Sequence, residues 1–98
     1  MINRIVRMSF RPEEVENFLK VFEASKDKIA GFEGCEGLNL LRDSKQTNVL
    51  FTYSYWRDEI CLNHYRYSEL FKETWAKTKV LFNDKPEAWS LDLLDKVK

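Results

Sequence analysis

Residues 53–82 hold most of the side chains suited to chemistry, namely the only histidine, two of the three tryptophans and all four tyrosines. His64 is the candidate general base, because imidazole titrates closest to neutral pH. No serine, cysteine or carboxylate is spaced to form a catalytic pair with it. A histidine on a helix surface or at an interface is therefore the simpler interpretation, and catalysis by His64 is a hypothesis.

The aromatic residues of the same stretch predict the wall of a pocket. Phe71, Trp75 and Phe82 recur at helical spacing, which is typical of a core stripe and also suits a flat, apolar pocket for an aromatic ligand. Tyr65 and Tyr67 carry hydroxyls that would either reach into this pocket or lie at its rim.

The elements that position these residues follow from hydrophobic periodicity. The predicted order is a strand (2–10), a helix (12–31), two strands joined as a hairpin (38–42 and 48–56), two helices (58–66 and 68–82) and a last strand (88–94). Asp58 and Ser68 are the predicted N-caps of the two later helices, and Gly31 is the predicted C-terminal stop of the first. Trp56 would pack at a strand end, beside the helices.

This order of elements is a split βαβ pattern. It predicts an α+β, ferredoxin-like fold with a four-stranded antiparallel sheet and helices on one face. The opposite face would still present large apolar side chains, such as Ile5, Leu50 or Phe51, and Trp56 or Tyr55. Since that is too much apolar area to leave open, we expect a second copy to cover it, sheet against sheet, in a homodimer.

Length and composition limit the other function classes. The 98 residues make one domain, 1–98, and the 16 basic residues balance the 16 acidic ones, which argues against nucleic acid or an anionic membrane as partner. The first ten residues lack the apolar stretch of a signal peptide. The two cysteines, Cys35 and Cys61, show no zinc or redox spacing, so we expect reduced thiols, no metal and a cytoplasmic location.

Three arginines, Arg4, Arg7 and Arg42, lie on predicted strands. An arginine that points inward needs a partner for its charge. One of them could hold an anionic or phenolate oxygen, but solvent exposure on an edge strand is the simpler interpretation.

Three stretches resemble the antibiotic biosynthesis monooxygenase (ABM) family. They are GFEGCEG (31–37), YSYWRDEICLNHY (53–65) and SELFKETW (68–75). The first stretch is similar to the family's loop before its second strand. The second is similar to the family's tryptophan followed by a capped short helix, and the third to the family's next helix. The resemblance implies a dimeric α+β barrel of ferredoxin-like protomers. Known members of this family include cofactor-independent oxygenases of polyphenols and quinols, haem-degrading enzymes and isomerases.

The chain departs from the family pattern at its histidines. The family's histidine nine positions after the tryptophan corresponds to Tyr65, with His64 one residue earlier and so turned about 100° around the helix. A second family histidine corresponds to Leu70. The Asn, Trp and His of the haem-degrading branch correspond to Val6, Tyr65 and Trp75, so haem degradation is disfavoured.

Two functional hypotheses follow from the resemblance and the residues together. The first is a cofactor-independent monooxygenase of a small aromatic, phenol-like or quinol-like substrate, with His64 and Tyr65 as catalytic residues. Its substrate-binding residues would be Trp56, Tyr67, Phe71 and Trp75. The second is a dimeric domain of the same fold that binds a small ligand or serves in stress response without turnover.

Overall fold

The computed structural model describes residues 1–98 and contains four strands and three α-helices. The strands are β1 (Ile2–Ser9), β2 (Cys35–Arg42), β3 (Val49–Trp56) and β4 (Glu87–Asp92), and the helices are α1 (Val15–Ala30), α2 (Glu59–Arg66) and α3 (Glu69–Lys79). The strands form one antiparallel sheet in the order β2-β3-β1-β4. This is the predicted α+β, ferredoxin-like fold, with the helices on one side of the sheet.

Side-chain alternation along the two central strands separates the two faces of the sheet. On β1, Met8 points toward the helices and lies opposite Leu50 of β3. Together with Phe10 and Phe18 these residues form the main core, in which the two phenylalanine rings stack with their centroids 4.4 Å apart. A smaller core at the other end of the sheet surrounds Trp56, which has no exposed surface.

The two short helices begin where the sequence predicts them. The Asp58 carboxylate accepts a hydrogen bond from the backbone N–H of Cys61 at 2.8 Å, and the Ser68 hydroxyl accepts one from the N–H of Phe71 at 3.1 Å. Each cap satisfies a backbone donor that has no partner within its helix. The predicted caps are therefore confirmed.

The first loop differs from the prediction. Strand β2 begins at Cys35, not at residue 38, because a bulge between Cys35 and Gly37 lets the chain pair with β3 earlier. Helix α1 ends at Ala30 with Gly31 as its C-cap, as predicted, although the φ of Gly31, −85°, is not left-handed. The residue with positive φ is Gly34, at 84°.

The end of α3 also differs. The helix stops at Lys79, and Phe82 forms an isolated β-bridge with Phe10. Its ring still lies near Trp75, with centroids 5.5 Å apart. The helical spacing of Phe82 was therefore the wrong reason for placing it beside that tryptophan.

The face of the sheet away from the helices carries a row of apolar side chains, which we call the open face. It comprises Ile5, Leu41, Phe51, Tyr53, Tyr55, Trp89 and Leu91. Ile5 lies at its centre, paired with Tyr53 on one side and Trp89 on the other. Trp89 remains 41% exposed and Leu91 46% exposed, so nothing in a single chain covers the edge of this face.

Candidate functional site

A cavity of about 380 Å³ lies between the sheet and the helices. Its volume falls in the usual range for small-molecule sites, roughly 300–1,000 Å³. All three helices and all four strands contribute residues to its walls, most of them hydrophobic. An apolar ligand of moderate size fits this description.

One wall of the cavity is a continuous series of aromatic contacts. Tyr65 makes an edge contact with Phe71, with ring centroids 5.3 Å apart. Phe71 in turn stacks on Trp75 at 5.8 Å with 10° between the planes. Residues four apart on a helix share a face, which is why Phe71 and Trp75 stand side by side on α3. This wall is a flat apolar surface of the kind that binds an aromatic ring.

Trp56 lines the cavity next to that wall. Its indole is stacked against the Tyr65 ring, with centroids 4.9 Å apart, and it has no exposed surface. The indole N–H donates a hydrogen bond of 2.9 Å to the Ser54 hydroxyl. Trp56 was predicted to bind substrate; it lines the cavity and packs against the Tyr65 ring, and its contact with a substrate stays a prediction.

Tyr65 is the titratable group that the aromatic wall brings into the cavity. Burial, and to a smaller extent the nearby Cys35 thiol, raises its pKa to about 12. Its phenol therefore stays protonated at neutral pH and can donate a hydrogen bond, but it is not a base there.

The structure does not bring His64 and Tyr67 to the cavity. Leu62, Tyr65 and Arg66 face it from α2, at the i, i+3 and i+4 positions that share one side of a helix. His64 lies on the other side of α2 and is exposed. Tyr67 follows the last turn of the helix and is 76% exposed.

Arg4 lines the cavity, although the sequence favoured solvent exposure over a role in holding an anionic oxygen. It lies on β1, which is a central strand between β3 and β4, so the expectation of edge-strand exposure is wrong for this residue. Its Nη1 donates a hydrogen bond of 2.9 Å to the Ser90 hydroxyl on β4. Burial, followed by the positive charge of Arg66, lowers the pKa of its guanidinium. The available signal was the alternation of β1, which places Arg4 on the same face as Met8.

No group of three or more His, Cys, Asp or Glu side chains is arranged to hold a metal ion. Both Cys35 and Cys61 are free thiols. No helix combines the length and the apolar character needed to cross a membrane.

Solved structures share this fold along nearly the whole chain. A conserved protein from Methanosarcina mazei Go1 is 20% identical, with a TM-score of 0.88 over 92% of this chain and 89% of that one. The Rv0793 protein of Mycobacterium tuberculosis is also 20% identical, with a TM-score of 0.89 over 99% and 98%. A structure described as an antibiotic biosynthesis monooxygenase is 17% identical, with a TM-score of 0.90 over 97% and 100%.

These identities are low, so the structural matches establish the fold alone. No curated protein matches the sequence. The family model described as antibiotic biosynthesis monooxygenase matches residues 1–77, which is most of the chain. The chain therefore belongs to the antibiotic biosynthesis monooxygenase family.

Proposed function

We propose that this protein is a cofactor-independent monooxygenase that oxidises a small phenol-like or quinol-like aromatic molecule in the cavity. The observation that carries the proposal is the aromatic wall, in which Tyr65 presents a protonated phenol beside the stacked rings of Phe71 and Trp75. A flat ring would bind against this wall with its oxygen near a hydrogen-bond donor. Membership of the family supports oxidation as the chemistry.

The reaction is balanced without an external reductant. A hydroquinone and O₂ give a hydroxyquinone and water, so one oxygen atom enters the ring and the other leaves as water. The substrate supplies all four electrons. The protein would exclude water, orient the ring and stabilise its anion, which is the form that reacts with O₂.

The side chains in the cavity suggest how the anion forms. Neither an imidazole nor an unpaired carboxylate faces the ligand, because His64 lies on the outside of α2 and the Glu87 carboxylate is paired with Arg7 at 3.9 Å. The proton of the substrate would therefore pass to water. Tyr65 would then donate a hydrogen bond to the resulting oxyanion, whose charge strengthens that bond.

The proposal includes a homodimer formed through the open face. Trp89 and Leu91 are too exposed for the edge of an apolar surface in a stable monomer of this size. Asn3 lies on the same face, and its amide oxygen is the buried side-chain polar atom that has no hydrogen-bond partner in one chain. A second copy packed sheet against sheet would bury Trp89 and Leu91. It would also bring new polar groups toward the amide oxygen of Asn3.

Oxygen uptake with a panel of benzo- and naphthohydroquinones tests the proposed reaction. We expect uptake above autoxidation for the wild type, a loss of about a hundredfold to a thousandfold in kcat in Tyr65→Phe from removal of one oxyanion donor, and a raised KM in Trp75→Ala. Tyr67→Phe is the matched control, because it removes the same hydroxyl from a residue outside the cavity. Equal rates for the two Tyr→Phe variants would contradict the role of Tyr65.

No imidazole or unpaired carboxylate faces the cavity to act as a base. This favours the second hypothesis, a dimeric ligand-binding domain without turnover. Under this hypothesis the same hydroquinones bind in the cavity, and Trp75→Ala weakens their binding, but no oxygen is consumed. Binding measured by calorimetry alongside oxygen uptake separates the two functions.

A further inference from the structure

We propose that Arg4 and Arg66 form an anion-binding subsite in the cavity, and that this subsite takes the carboxylate of an aromatic acid. The inference rests on the proposed function and deepens it, because it specifies the substrate as an aromatic ring that carries an anionic group.

The position of Arg4 is fixed by the sheet. It is half-buried on a central strand, with Ser54 opposite it on β3 and Ser90 opposite it on β4. The hydrogen bond to the Ser90 hydroxyl holds one nitrogen of the guanidinium at 2.9 Å. A guanidinium has five N–H donors, so most of them remain for a ligand.

The charge of Arg4 has no acidic partner within the chain. The ion pairs of the protein involve other basic residues, and Arg4 is in none of them. Glu87 is the acidic residue in the cavity lining, and its carboxylate is paired with Arg7. Arg66 adds a second positive charge from α2 and lowers the pKa of Arg4, so the two cations repel one another. An anion bound between them would relieve this repulsion and the cost of burying Arg4.

The subsite adjoins the aromatic wall. Ser54 pairs with Arg4 across the sheet and also accepts the hydrogen bond from the Trp56 indole, on which Tyr65 is stacked. Arg66 follows Tyr65 directly on α2. One ligand can therefore place its ring against the wall and its carboxylate on the arginines. The planar fork of a guanidinium matches the two oxygens of a carboxylate.

Calorimetric titration with two isosteric probes tests the subsite, with naphthalene-2-carboxylate as the anion and naphthalene-2-carboxamide as the neutral control. We expect the carboxylate to bind the wild type about tenfold or more tightly than the amide, since a hydrogen bond to a charged group is worth about that ratio. Arg4→Gln and Arg66→Gln should each remove most of that preference. Arg42→Gln, an exposed arginine on β2 outside the cavity, should keep it.

Arg4→Lys provides the check on folding and geometry. The lysine keeps the positive charge but lacks the planar guanidinium that matches two carboxylate oxygens. The preference of this variant for the carboxylate should therefore fall between those of the wild type and Arg4→Gln. Thermal unfolding of each variant shows that the protein is folded at the titration temperature. Equal binding of carboxylate and amide by the folded wild type, or an unchanged preference in both Arg→Gln variants, would overturn the subsite.

The anion could also be the phenolate of the substrate itself, and 2-naphthol distinguishes this source. Arg4-dependent binding of 2-naphthol that strengthens with rising pH, without a preference for the carboxylate, would overturn the carboxylate assignment. These titrations need no oxygen. A preference for the carboxylate without oxygen uptake leaves the subsite standing and rejects the oxygenase. Oxygen uptake by a protein that binds the carboxylate and the amide equally supports the oxygenase and rejects the subsite.

Discussion

The phenol ring of Tyr65 is stacked on the indole of Trp56, with centroids 4.9 Å apart and 21° between the planes. The indole is held in turn by its hydrogen bond to Ser54. A residue of α2 is thus positioned by β3, although Asp58 starts the helix immediately after that strand. The geometry of the cavity phenol depends on the strand as much as on its own helix.

The raised pKa of Tyr65 predicts a pH-dependent contribution to stability. Below pH about 10 both the folded and the unfolded chain keep the phenolic proton, so this group contributes no pH dependence. From pH about 10 to about 12 the unfolded chain releases the proton first, and the free energy of unfolding falls as pH rises, by about 2 kcal/mol at most. Urea unfolding at several pH values measures it. Tyr65→Phe should lose this part of the slope, and an identical slope in both proteins would contradict the shift.

Ser54→Ala should destabilise the protein by about 1–3 kcal/mol, because the Trp56 indole N–H would remain buried without an acceptor. Chemical denaturation monitored by tryptophan fluorescence gives the change. Ser44→Ala, in the exposed hairpin tip, removes the same hydroxyl and should change stability by less than about 0.5 kcal/mol. A loss of equal size in both variants would refute the role of the Ser54 hydroxyl.

Gly34→Ala should destabilise the fold by more than about 1 kcal/mol. Gly34 has φ 84°, which disfavours any residue with a Cβ, and a Cβ at this position would also overlap the side chain of Cys61. Gly31→Ala is the control, because Gly31 has ordinary helical φ and its added Cβ would come only as close as 3.2 Å to the Asp27 carbonyl oxygen. Thermal melts compare the two, and equal melting temperatures would show that the loop adapts.

Ile5→Glu should convert the expected dimer into a monomer, because it places a charge at the centre of the open face. Ile60→Glu makes the same change on the outside of α2, where the side chain is already 68% exposed, and should leave the dimer intact. Light scattering at micromolar concentration reports the mass. A monomeric wild type, or a dimeric Ile5→Glu variant, would contradict assembly through this face.

Local sequence signals predicted the elements of this protein well. Asp58 and Ser68 mark helix starts because a side-chain oxygen next to free backbone donors is a local feature. The alternation of apolar and polar side chains along β1 is also a local feature, and it assigned the residues of this strand to the two faces of the sheet. Residues 35–37 were misread as loop because a bulge depends on the partner strand, and no pattern within the loop shows where β3 will pair.

The candidate site was harder to predict, because it depends on how the elements assemble. Arg4 was expected at an edge, since the order of strands in the sheet is not visible in the alternation of one strand. His64 attracted attention for its chemistry, although the side of α2 that faces the cavity carries Tyr65 and Arg66. Chemical type alone pointed to His64, whose side chain lies outside the cavity.

Arg4 and Ile5 are consecutive residues of β1, yet one reaches the ligand cavity and the other occupies the centre of the open face. Inserting or deleting a single residue at the start of this strand would exchange their directions, sending the guanidinium into the apolar surface and the aliphatic chain into the cavity. Ligand recognition and self-association would then fail together. We therefore expect insertions and deletions in β1 to be tolerated far less well than insertions and deletions in the tip of the hairpin between β2 and β3.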